Sequence, residues 1–156
     1  MNTLHTRAAT LADLHAIAPL FDAYRQFYAQ PPDLDLATRF IRDRMQNNES
    51  VILLALDANA QAIGFCQLYP SFCSVEALPI YVLYDLFVAP EARRTGAGKA
   101  LLLSAEQLAI ANGKARMDLT TARTNTGAQA AYESLGWVRD KVFYAYSKHP
   151  GTKESA

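Results

Sequence analysis

The sequence is poor in the residues that mark several protein classes. It holds two cysteines, Cys66 and Cys73, in 156 residues, too few for a disulfide framework or a cysteine-rich metal centre. Its three histidines, His5, His15 and His149, are scattered with no ligand spacing, so no metal is implied. It has no excess charge either: fifteen Lys and Arg are matched by fifteen Asp and Glu. No basic field therefore points to nucleic acid or to an anionic membrane surface. No apolar run is long enough to span a bilayer, and the N-terminus lacks the basic start and apolar stretch of a signal peptide. Repeats and low-complexity linkers are absent too. These absences lead to the expectation of a cytoplasmic protein with reduced thiols and neither a nucleic-acid nor a membrane partner.

What is present is ordinary globular material. Hydrophobic residues make up 51% of the chain and charged residues 19%, enough for one core and one domain at this length. That domain is expected to span residues 1–148, with His149–Ala156 as a polar, frayed tail.

His5–Ala8 reads as a short strand. Thr10-Leu-Ala-Asp13 has the form of a capping box, and Leu14, Ile17, Phe21, Tyr24 and Tyr28 then recur at helical spacing. Pro19 is expected to kink or loosen that helix, and Gln30-Pro-Pro32 to end it. A second helix is expected from about Asp35 to Gln46. Val51–Leu56 and Ala62–Tyr69 read as a hairpin, Pro70–Pro79 as a loop and Ile80–Val88 as a long strand. A helix from about Gly98 to Asn112, capped by Gly113, follows. Then come a strand Arg116–Ala122, a helix Thr126–Leu135 stopped at Gly136, and a closing strand Trp137–Tyr146. The pattern is a mixed α/β sheet with helices on both faces.

The stretch from Leu83 to Leu103 organises the rest. An apolar strand ends at Ala89-Pro90, and Arg93-Arg94-Thr95-Gly96-Ala97-Gly98-Lys99 leads into a helix. A Gly-rich loop feeding a helix N-terminus presents unpaired N–H groups in a positive local field, and the flanking cations add to it. The physical reading is a phosphate cradle. A nucleotide-triphosphate loop does not fit, because Arg93 stands at its first glycine and Ala100 at its magnesium-binding hydroxyl. A dinucleotide fingerprint does not fit either, because Leu101 stands at its third glycine.

Arg93-Arg94-Thr95-Gly96-Ala97-Gly98 matches Q/R-x-x-G-x-G/A, the pyrophosphate loop of the GNAT superfamily of N-acetyltransferases. Asn125-Thr-Gly-Ala-Gln-Ala-Ala-Tyr132-Glu-Ser-Leu-Gly-Trp137 resembles that superfamily's second signature, about thirty residues on. The resemblance implies a largely antiparallel central sheet of six to seven strands flanked by four helices. It also implies acetyl-CoA (coenzyme A) as cofactor and direct transfer of an acetyl group to a primary amine.

On that resemblance, the cradle from Arg93 to Lys99 holds the pyrophosphate. Leu86, Phe87 and Val88 offer backbone groups to the pantetheine arm, much as a strand edge accepts a peptide. Tyr132 sits at the position that commonly protonates the departing sulfur; on pattern alone it reads as a core tyrosine of an amphipathic helix. Asn125 is both a natural N-cap and the family's side-chain partner of the cofactor arm. The proton acceptor stays open among Asp85, Glu76 and a water chain. Some diamine and histone acetyltransferases carry Glu where this chain has Tyr84, and strand alternation places Asp85 opposite Tyr84. Cys66 reads as a buried, inert thiol.

Gln67-Leu-Tyr-Pro-Ser-Phe72 is similar to the acceptor-side strand of a subgroup acting on polyamines and histones. Tyr24, Gln67, Tyr69, Tyr81 and Tyr84 are the acceptor-site candidates, with aromatic faces suited to a cation. In the family the two N-terminal helices border the acceptor, which points to the stretch between Tyr24 and Phe40. Residues 1–78 hold five Lys and Arg against eight Asp and Glu, and residues 79–156 ten against seven. That small offset suits a cationic amine and an anionic cofactor. The expected acceptor is a small amine such as a polyamine or amino acid. The alternatives are a protein lysine or histone-type acceptor, or a sensor that binds acetyl-CoA without turnover. A homodimer through the closing strand is the expected assembly.

Overall fold

The computed structural model describes residues 3–151. Its elements run β1 (His5–Ala8), α1 (Leu14–Phe27), α2 (Leu34–Gln46), β2 (Val51–Leu56), β3 (Ala62–Cys73), β4 (Leu78–Val88), α3 (Ala97–Ala111), β5 (Met117–Asp118) and α4 (Thr126–Ser134). They group into two compact units, one ending at Thr120 and the other starting at Thr121. Residues 152–156 of the expected frayed tail lie outside the described residues.

The first unit is built on a sheet of order β1-β2-β3-β4-β5, antiparallel except for the parallel pair β4–β5. Every residue of β2 from Ile52 to Leu56 is buried, as expected of an apolar strand covered on both faces. Ile52, Leu54, Leu56, Phe65 and Phe87 pack against Ile17 and Phe21 of α1 and Ala37 and Ile41 of α2. The alternate β2 residues, Leu53 and Ala55, are buried on the other face, where α3 crosses β1 to β4. The α1 helix runs through Pro19 to Phe27. Ahead of it, the Thr10 N–H donates to the Asp13 carboxylate at 2.8 Å. Arg7 grips the same carboxylate through both terminal nitrogens and, with the Thr10 bond, holds it well below the usual carboxylate range.

Three expectations are corrected. Pro70–Pro79 is no loop: β3 runs on to Cys73 and β4 starts at Leu78. Pairing of β2 with β3 ends at Val51↔Leu68, so the missing donor of Pro70 falls where β3 has no neighbour on that side. The strand expected at Arg116–Ala122 shrinks to Met117–Asp118. A bulge at Tyr84 bends β4, and the parallel ladder stops at Val82↔Asp118. The closing strand Trp137–Tyr146 is absent, which leaves five strands among the described residues rather than six to seven. In its place the Asp140 carboxylate accepts from the N–H groups of Val142 (2.9 Å) and Phe143 (3.3 Å), a local turn that competes with ladder pairing.

The second unit holds α4, the fourth helix. The Asn125 side chain caps it by accepting from the Ala128 N–H at 3.2 Å. Gln129 Nε2 ties the helix to the carbonyls of Ala122 and Arg123 at 3.0 and 3.1 Å.

Candidate functional site

The loop after β4 has the geometry of an anion cradle. Arg94 and Gly96 both take positive φ, 66° and 88°, and α3 starts at the next residue, Ala97. The first helical bond runs from the Ala100 N–H to the Gly96 carbonyl at 2.9 Å. The N–H groups of Ala97, Gly98 and Lys99 lie ahead of it, at the positive end of the helix. A Cβ at Gly98 would meet only Val88 Cγ2, at 3.9 Å, so internal packing does not require glycine there. Arg94 and Lys99 are exposed, as is Thr95, whose hydroxyl donates to the Ala92 carbonyl at 2.6 Å. Arg93 turns back over the end of β4: its Nε donates to the Val88 carbonyl at 3.2 Å, and its guanidinium lies 5.7 Å from the Phe87 ring centre.

The edge of β4 leading into the cradle is open. The Ala89 N–H bonds to the Ile63 carbonyl at 2.8 Å, and the register pairs Gly64↔Val88, Phe65↔Phe87 and Cys66↔Leu86. Antiparallel alternation then spends the Asp85 and Phe87 backbone groups on β3 and turns those of Leu86 and Val88 away. Beyond Val82, no described strand pairs with β4 on that side. Leu86 thus offers a main-chain donor and acceptor and Val88 a donor beside the cradle, the Val88 carbonyl being engaged by Arg93. That edge is a fit for an amide-bearing pantetheine arm.

On the α1–α2 face of the same strands lies a hollow of about 270 Å³ lined by Phe21, Tyr24, Arg25, Tyr28, Gln30, Phe40, Tyr69, Tyr84 and Asp85. The bulge decides who reaches it. Gln67 pairs with Asp85 but Leu68 pairs with Leu83, which leaves Tyr84 unpaired. Alternation is interrupted there, so Tyr84 and Asp85, expected on opposite faces, border the same hollow. The same slip turns Tyr81 to the α3 face. Its hydroxyl accepts from Asn112 Nδ2 at 2.7 Å, and Lys114 Nζ lies 4.7 Å from its ring centre. No glycine or proline marks the bulge, and both faces are covered, so the sequence carries no signal for it.

Asp85 is 5% exposed. It accepts from Gln67 Nε2 at 2.5 Å, and the fully buried Gln67 is itself anchored by the Ser50 hydroxyl at 2.7 Å. Gln67 therefore lies beneath the hollow, positioning Asp85. Burial raises the Asp85 pKa, against the pull of hydrogen bonds from Gln67 and Tyr24. Burial, then the Asp85 charge, pushes Tyr69 up to about 12 and Tyr24 well above the usual phenol range. The single Tyr24 hydroxyl proton is shared with the Tyr84 carbonyl, at 3.4 Å. Tyr69 and Tyr84 meet edge to face at 5.5 Å. Cys66 is buried, and burial pushes its thiol up to about 12, which keeps it unreactive. Glu76 sits on the β3–β4 turn, 3.8 Å from Arg116, and does not line the hollow. Among the described residues no cluster of His, Cys, Asp or Glu suits a metal ion, and no helix is long and apolar enough to cross a membrane.

In the second unit, Tyr132 is half-buried on α4, its ring 6.2 Å from that of Trp137.

The model of the acetyltransferase (GNAT) family matches residues 14–137. An uncharacterised N-acetyltransferase of Bacillus subtilis is 46% identical over 92% of this chain and 95% of its own length. A probable acetyltransferase of known crystal structure superposes with a TM-score of 0.89 at 38% identity, covering 96% of this chain and 99% of that one. An aminoglycoside N-acetyltransferase solved in complex with CoA shares the fold, with a TM-score of 0.78 at 20% identity over 95% of this chain and 96% of its own. With the cradle, the open strand edge and these likenesses in agreement, the chain is an acetyltransferase of the GNAT family, whose members take their acetyl group from acetyl-CoA.

Proposed function

We propose that this protein transfers acetyl directly to the primary amine of a small acceptor held in the aromatic hollow, with Asp85 as proton acceptor. The observation that carries the reading is the placement of Asp85. It is a buried carboxyl of raised proton affinity, bordering a hollow on the strand whose other groups form the open edge. A primary amine near pKa ~10 arrives protonated and attacks only when neutral. Asp85 takes that proton, and the rings of Tyr24, Tyr69 and Tyr84 hold the cation beforehand.

Acetyl-CoA, held along Leu86–Val88 and the cradle from Arg93 to Lys99, supplies an acetyl thioester. The C–N bond forms as the C–S bond breaks, and the nitrogen's second proton leaves to water, which balances the proton that later restores Tyr132. The N–H groups of Leu86 and Val88 stabilise charge growing on the acetyl oxygen. Tyr132 returns a proton to the departing sulfur and is reprotonated from water. Asn125 adds a side-chain hydrogen bond to the cofactor arm while capping α4. The assignments of Tyr132 and Asn125 rest on the match of their motif to the family's.

The test is release of free thiol from acetyl-CoA across polyamines, amino acids and lysine peptides. Release with small amines supports the reading, and release with lysine peptides alone replaces it with a protein acceptor. Silence throughout, with acetyl-CoA still raising the melting temperature, favours a non-catalytic sensor.

A further inference from the structure

We infer that the acceptor amine carries a carboxylate and that Arg25 holds it. The inference rests on the transfer reading above and narrows its acceptor to amino-acid-like molecules. Arg25, in the last turn of α1, lines the hollow with Asp85. Its Nη1 is fully buried and has no hydrogen-bond partner. The Asp22 carboxylate stands 3.9 Å away, beyond hydrogen-bond length. That carboxylate is committed elsewhere: Oδ1 accepts from the Asp33 N–H at 3.0 Å and Oδ2 from Gln26 Nε2 at 3.3 Å. A guanidinium cannot shed its proton to escape, and a buried donor without an acceptor is rare and unfavourable. Nη1 itself is closed to solvent, but the side chain keeps 19% of its surface exposed and lines the hollow. A ligand carboxylate there would meet the guanidinium through its accessible part and offset the charge that Asp22 leaves without a hydrogen bond.

The charges of the hollow say which ligand. Its lining has one cation, Arg25, and one carboxyl, Asp85; the other residues are aromatic apart from Gln30. A zwitterion matches both ends at once, its ammonium at Asp85 and its carboxylate at Arg25, where the planar fork suits two oxygens. A polyamine offers Arg25 nothing and brings a second cation beside it. A phosphate dianion would keep excess charge against a single guanidinium. The volume of about 270 Å³ lies at the small end of ligand sites.

The experiment compares amines that differ only in the carboxylate, such as lysine with cadaverine and β-alanine with ethylamine. Binding is measured by calorimetry on the CoA-loaded protein and turnover by thiol release. The carboxylated member is expected to bind about 10- to 100-fold more tightly, the range of a hydrogen-bonded charge pair. In Arg25→Gln the ratio falls to about one, and Arg25→Lys restores part of it. Carboxylated members that bind no better than their partners in the wild type overturn the inference, whether or not Arg25→Gln folds. A binding preference with no acetyl transfer leaves the Arg25 carboxylate site standing and removes the transfer reading instead.

Discussion

Burying a carboxyl beside aromatic rings raises its proton affinity, and at Asp85 two donors oppose that effect without cancelling it. Folding therefore holds the Asp85 proton more tightly than the unfolded chain does. The Asp85 contribution to stability is full below the unfolded carboxylate pKa of ~3.9 and is lost as pH rises through the higher folded value. Asp85→Asn removes that loss, so chemical denaturation should show its stability gaining on the wild type as pH rises across the window. Turnover moves the other way. In its proposed role as proton acceptor, Asp85 would set the acid limb of kcat/KM above the ordinary carboxylate range. Asp85→Asn should abolish that limb and lower the rate about 10²- to 10⁴-fold. A variant that keeps both rate and limb removes Asp85 from the mechanism. Tyr132→Phe deletes one hydroxyl and leaves the ring against Trp137. As the proton donor to sulfur, Tyr132 predicts a kcat at least about tenfold lower with little change in acetyl-CoA KM; unchanged turnover sinks that role.

Elements whose pattern is local were legible, and those depending on a neighbour were not. The all-apolar run Val51–Leu56 and the stripe from Leu14 onward yielded β2 and α1 because burial alone orders them. Pro70 read as a loop because its tolerance depends on where β2 stops, and Trp137–Tyr146 read as a strand because alternation cannot show whether a partner exists. Gly64 likewise has a meaning visible only across the sheet. It pairs with Val88, and a Cβ there would stand 2.9 Å from the Phe87 carbonyl oxygen, closer than real Cβ contacts come. Gly64→Ala must push β3 from the end of β4, where the open edge meets the cradle. The expected cost is about 1–3 kcal/mol of stability, together with a raised KM for acetyl-CoA. Melting and steady-state kinetics check both, and a variant normal in each shows the strands to be looser there than their spacing implies.

Across the whole molecule, the cradle was legible from sequence and the aromatic hollow only in outline. Arg93–Gly98 is contiguous, so its spacing alone carries its geometry. The hollow draws on α1, α2, β3 and β4, and the sequence marked the stretch Tyr24–Phe40 without singling out Arg25, Tyr28 or Gln30. The bulge at Tyr84 then reassigned Tyr81 and Asp85 between faces. Charge shows the same contrast of local against global. The chain is neutral in sum, so no long-range field draws in an anionic cofactor, and attraction must come from the exposed Arg94 and Lys99 and the α3 N-terminus. Acetyl-CoA at about 100 times its Kd should raise the melting temperature by about 5–10 °C. Because the cradle charges are exposed, that shift should shrink as ionic strength rises from about 0.05 to 0.5 M, where screening falls within a few ångströms. A shift indifferent to salt would place the binding energy on the open β4 edge rather than in the cradle, and no shift at all would remove both from the cofactor site.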